Sequence, residues 1–155
     1  MPTDFTADLS QVTPATLTRR VLAMIYDTLL VVAISMVVVL IAVALNGGEA
    51  IDTPLGEAAL RSALLCTNFL FFAVCWTRAG QTLGMLAWHL RVQNHDGTKL
   101  RWTQALIRFF GGAFSLLCFG LGFWMILLSD ERLAWHDRWS NSVVVRIPKP
   151  KRPRA

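Results

Sequence analysis

Charge is what this chain has least of: 16% of its 155 residues are Asp, Glu, Lys or Arg, while 54% are hydrophobic. A soluble domain carries about a quarter charged residues. So little charge excludes an ordinary water-soluble surface, and the apolar residues fall in three blocks rather than along the whole chain. The three cysteines (Cys66, Cys75, Cys118) are odd in number, form no C-x-x-C pair and lie in apolar segments. They are expected to be reduced thiols packed as small hydrophobes, not a redox or metal site. His89, His95 and His136 have no i,i+4 or Cys-paired spacing, so no metal is expected. There is no nucleophile elbow, zinc-protease helix or cofactor loop, and an enzyme is not expected. No nucleic-acid-binding motif accompanies the net charge of +5. The first 18 residues are polar and the first apolar stretch is too long for a signal h-region, so it is expected to stay as an uncleaved span.

What is present is a membrane pattern. Val21 to Leu45 holds one charged residue, Asp27, and at 1.5 Å per residue it reaches across a bilayer core. A second apolar run spans about 58–77; its uncharged part is short, so Arg61 must snorkel. The third, about 105–129, is interrupted by Arg108, Gly111-Gly112 and Gly120/Gly122. The expected fold is therefore an all-α integral membrane protein. It has two full transmembrane helices, a third glycine-broken or re-entrant segment, and a small cytoplasmic β-ribbon. Residues 1–18 read as a disordered polar arm, 19–147 as the membrane domain and 148–155 as a basic, Pro-rich tail.

The loop after the first span carries Glu49, Asp52 and Glu57 and no basic residue before Arg61. The loop after the second carries Arg78, Arg91, Lys99 and Arg101. Positive-inside counting places the N-terminus of a multi-pass membrane protein in the cytoplasm. A single crossing by the third block would put the basic C-terminal region outside. A break at the paired glycines that returns the chain is the preferred reading, because it lets Val143–Val145 meet Leu90–Val92 on one side. Asp96-Gly97 between short alternating runs also predicts a hairpin. The tail suits anionic lipid headgroups.

A carboxylate within a span needs a reason. Arg20 lies on nearly the same helical face as Asp27, but side chains lean toward the N-terminus, so a direct pair is awkward. Arg108 is the expected partner, Arg78 the runner-up. Asp27 is then either an ion or proton site or an interhelical lock. Ser35 and Asn68 are expected to bond between helices. Gly80-Gln81-Thr82-Leu83-Gly84 reads as a tight turn, its small-x-x-x-small spacing as accidental. Trp76, Trp102, Trp135 and Trp139 read as an aromatic belt.

Taken together, Arg20-x-x-Ala23-x-x-x-Asp27, Gly80-Gln81-Thr82-x-Gly84, Leu90-Arg91-Val92, Asp96-Gly97, Ala105-Leu106-x-Arg108 and Leu133-x-x-His136-Asp137-Arg138 resemble the RDD family of small bacterial membrane proteins. The family is named for one arginine and two aspartates, and the resemblance runs over about residues 18–147. It implies that the signature residues are Arg20, Asp27 and Asp137, with Asp130 competing for the last place. Members often have Pro and a basic residue in the turn where this chain has Leu83 and Met85. The resemblance implies transport of ions or small solutes by a protein of the cell inner membrane. On the residues themselves, cation or proton coupling is expected at Asp27 with no cofactor, and a homo-oligomer or membrane-protein partner is expected because two spans and a broken segment are few to enclose a path. The competing expectation is an accessory or assembly protein of a membrane complex.

Overall fold

The computed structural model describes residues 12–128 and 132–148. Asp130, most of the polar arm and the Lys/Arg residues of the basic tail lie outside the described residues. The chain opens with a two-residue strand, β1 (Thr13–Pro14), and enters α1 (Leu17–Leu45). The last residues of the polar arm are thus a strand and a helical turn. Asn46 caps α1, and α2 (Pro54–Val74) starts with the Thr53 side chain accepting from the Gly56 N–H and Pro54 in its first turn. Both features favour helix initiation, since the orphan N–H is satisfied and proline sits where no intrahelical donor is needed.

The second helix runs on into a π-turn, Cys75–Ala79, and stops at Gly80, whose φ of +68° is the left-handed conformation that ends a helix cheaply only for glycine. Two short elements follow, α3 (Leu83–Ala87) and β2 (Leu90–Asn94). The expected hairpin at Asp96-Gly97 does not form: the turn closes through Asn94 N–H to Thr98 O, and the chain then enters α4 (Trp102–Leu117). The remaining elements are α5 (Leu121–Leu128), α6 (Trp135–Trp139) and β3 (Ser142–Arg146). The ribbon is a three-stranded antiparallel sheet in the order β1-β3-β2, with Val92 opposite Val144. β3 pairs with β2 along one edge, while on the other edge the Val92 N–H bonds to Gly80 O and the Asn94 N–H to Thr98 O.

Two helices are long and apolar enough to cross a membrane, Leu17–Leu45 and Pro54–Ala79, and α4 with α5 form a pair bent by 96°. The bend is not at Gly111-Gly112, through which α4 passes unbroken; it falls at Phe119 and Gly120, both at positive φ. Gly111 serves packing instead, because a Cβ there would come within 3.1 Å of Trp139 and 3.2 Å of His136. The chain does return: α6 lies against α4, and β3 pairs with strands that precede α1 and follow α2.

Candidate functional site

Burial in α1 is confined to three residues at i, i+3 and i+7: Arg20, Ala23 and Asp27. In α4 the buried face is Ala105, Arg108, Gly111 and Ser115. Two of these residues are arginines with 4–5% of their surface exposed, an arrangement that needs a counter-charge. Asp137, wholly buried on α6, supplies it. Its Oδ2 accepts from the Arg20 Nη1 and its Oδ1 from the Arg108 Nη1, each at 2.5 Å. The Ala134 N–H also donates to Oδ2, so the same carboxylate caps α6. Arg20 further donates to the Arg132 carbonyl, and Arg108 to Ser142 Oγ on β3. One carboxylate thereby ties α1, α4 and α6 together, with the sheet attached through Arg108.

Burial alone would raise the Asp137 pKa, but the Arg108 and Arg20 guanidiniums hold it well below the usual carboxylate range. His136 beside it is pushed down to about 3, by burial first and then by Arg108. Its Nε2 stands 3.6 Å from Asp137 Oδ1, which for a neutral ring is a polar contact and not an ion pair. The ring also packs on Phe123, 4.9 Å between centroids.

Asp27 does not pair with Arg108 or Arg78. Its Oδ2 accepts from the Thr82 hydroxyl at 2.5 Å and its Oδ1 from the Gly84 N–H at 2.9 Å. Thr82 Oγ in turn accepts from the Met85 N–H. Gly84 is therefore a close helix contact: a Cβ there would overlap the Ala23 carbonyl and lie 2.9 Å from the Asp27 carboxylate. Arg108 instead finds the Trp76 ring, with its guanidinium carbon 5.5 Å from the ring centroid. Trp76 is accordingly buried and not part of an interfacial belt, whereas Trp102 and Trp139 are half exposed. Ser35 donates to Asn68 at 3.4 Å, the expected bond between α1 and α2.

The sequence reading missed Thr82, Gly84 and His136. The Gly-x-Thr-x-Gly spacing and the His-Asp adjacency were visible, but neither shows which residue each would meet. Arg20, Asp27, Arg108 and His136 all line one pocket of about 400 Å³, whose walls are otherwise mostly apolar, including Phe72, Phe109 and Phe123. Among the described residues no cluster of three or more His, Cys, Asp or Glu has metal-binding geometry.

A family model described as "RDD family" matches residues 14–141. Comparisons with curated proteins and with solved structures found no match.

Proposed function

The chain belongs to the RDD family, and on that premise we propose that it is a multi-pass protein of the bacterial inner membrane that binds and carries a small solute or ion. The N-terminus, the sheet and α6 would face the cytoplasm, with the basic tail on anionic headgroups and further copies or a membrane-protein partner completing the path. No chemical conversion of the cargo is part of this reading. The observation that carries it is the pocket itself. A buried carboxylate, two guanidiniums and an imidazole face one cavity between apolar helices, and ionisable groups within spans mark ion and solute pathways. Concave, mostly apolar sites with a few convergent polar groups are the usual form of a small-ligand site. Asp27 is the group placed to couple cargo movement to a proton or cation.

The test is proton flux in proteoliposomes of the purified protein, scanning Na⁺, K⁺ and Li⁺ gradients. Flux that disappears in Asp27→Asn and in the pocket-filling Gly112→Leu, with both variants folded, is expected. Flux that survives both substitutions unchanged would sink the reading.

A second reading has its own observation. Every Asp27 and Asp137 oxygen is already engaged by a donor within the chain, as in a packing lock of an accessory or assembly protein. It wins if wild-type protein shows no flux and Asp27→Asn only lowers abundance.

A further inference from the structure

The pocket is long, and its two ends differ. On α1 it is lined at Arg20 and at positions 3, 4, 7, 8 and 11 residues further on, ending at Val31. That is one helical face extending about 16 Å. On α4 it runs from Arg108 to Leu116. Both lines start at the arginines that share Asp137, so the polar end is common to the two helices. Beyond Asp27 and Thr28 the walls are apolar. At about 400 Å³ the space exceeds many times the roughly 30 Å³ that one water occupies in the liquid, far more than a bare ion fills.

The polar end carries an excess of positive charge. Two buried guanidiniums share one carboxylate. Arg20 Nε, a buried donor, has no hydrogen-bond partner among the described residues. The other carboxylate on the pocket, Asp27, lies seven residues deeper on α1, about 10 Å along the axis. Both its oxygens are held by Thr82 and Gly84. It therefore does not neutralise the arginine end at contact range. Buried cations and donors of this kind are satisfied by an anion.

We propose that the pocket takes an elongated amphipathic anion, with its carboxylate or phosphate head at Arg20 and Arg108 and its apolar body between α1 and α4. This rests on the reading of the pocket as the cargo site and names the cargo class. Guanidiniums recognise carboxylate and phosphate through the same fork of N–H donors, so the head is defined by charge and acceptor oxygens. The body follows Met24 and Val31 on one wall and Phe109 and Leu116 on the other. Gly112 forms part of that wall, and a Cβ added there would meet nothing within 4 Å. A leucine at 112 therefore starts in open space on the pocket wall.

The experiment is equilibrium binding to the full chain in phosphatidylcholine nanodiscs, with protein-free nanodiscs as background. The probes are dodecanoate, dodecyl phosphate, dodecanol, dodecyltrimethylammonium and inorganic phosphate. Saturable binding of dodecanoate or dodecyl phosphate is expected, at least tenfold tighter than dodecanol and weakened at least tenfold by Gly112→Leu. Thermal unfolding of the variant checks that it is folded. The tighter of the two anionic amphiphiles identifies the head as carboxylate or phosphate. Equal binding of dodecanol overturns the proposal, as does tighter binding of the cation, equal binding of inorganic phosphate, or indifference to Gly112→Leu. If Gly112→Leu blocks cation-driven proton flux while no amphipathic anion binds, this proposal fails and the transport reading stands. If dodecanoate binds as expected and no flux is found, the site stands and the transport reading fails.

Discussion

Along α1, the residues before Thr28 and those after it live in different surroundings. Arg20, Ala23 and Asp27 are its buried residues, and all three lie in its first eleven positions. Further along, Leu29, Met36, Leu40 and Leu45 are each more than 60% exposed. The bond between Ser35 and Asn68 is a polar link on that far half, and it is long at 3.4 Å. At the near end, by contrast, Asp137 and Asp27 between them bind α1, α3, α4 and α6 with charge-assisted bonds. The far half presents the apolar surface that hydrocarbon would solvate, and there an apolar side chain would gain little by touching another helix instead of lipid. Position and specificity must then come from the polar end. Arg20, Asp27 and Asp137, the residues that the resemblance singles out, gather there.

The contrast is broken most directly at Asp137. Replacing it with alanine leaves two buried arginines without a counter-charge and α6 without its cap. A loss of about 3–5 kcal/mol is expected from breaking such a buried pair, read as a large drop in thermal stability in detergent or as lost abundance. The same end should respond to acid. His136 is held neutral in the fold with its pKa lowered to about 3, so the unfolded chain, with histidine near 6.5, binds the extra proton. Stability from this residue is complete above about pH 6.5 and declines as pH falls toward 3. Asp137, also depressed, adds a further loss once pH drops below the ordinary carboxylate range. A melting temperature that stays flat between pH 7 and 4 would contradict this.

A smaller effect is expected at Gly84. Alanine there drives a methyl into the Ala23 carbonyl and the Asp27 carboxylate, a backbone contact that no side-chain rotation relieves. Overpacking of this kind costs about 1–3 kcal/mol, and hydrogen exchange at the Gly84 N–H should accelerate. The least effect belongs to the far half. Ser35→Ala should cost about 0.6 kcal/mol, the average for a hydrogen bond between membrane helices. A loss as large as that of Asp137→Ala would erase the distinction between the two halves.

Much of the architecture was legible because it follows from composition and length. Two apolar runs long enough to span, a third that is broken, and a valine strand near the C-terminus are all one-dimensional patterns. The return of the third block could be argued from charge and from the need of Val143–Val145 for a partner. Arg20, Asp27, Arg108 and Asp137 could be singled out because a charge among apolar residues is conspicuous. Their pairing was not legible. Asp27 and Arg108 are opposite charges set in apolar blocks, and Coulomb reasoning joins them. In the fold, a backbone N–H and a hydroxyl reach Asp27 first, and a carboxylate on a five-residue helix reaches Arg108. Trp76 escaped for a related reason: a tryptophan at the end of a span looks the same whether it faces headgroups or an arginine.

What the sequence determined by itself is which segments shun water, roughly where each begins, and which few residues carry charge into them. These are properties of single residues and their neighbours along the chain, set by transfer free energies and helix rise. The tertiary structure alone decided who meets whom: that one carboxylate would serve two arginines, that glycine at 84 would let α3 touch α1, and that a 96° bend would bring the chain back to close the sheet. Those outcomes turn on ångström-scale distances between residues up to 117 positions apart. At that range hydrogen-bond geometry and close packing discriminate between partners that composition leaves equal.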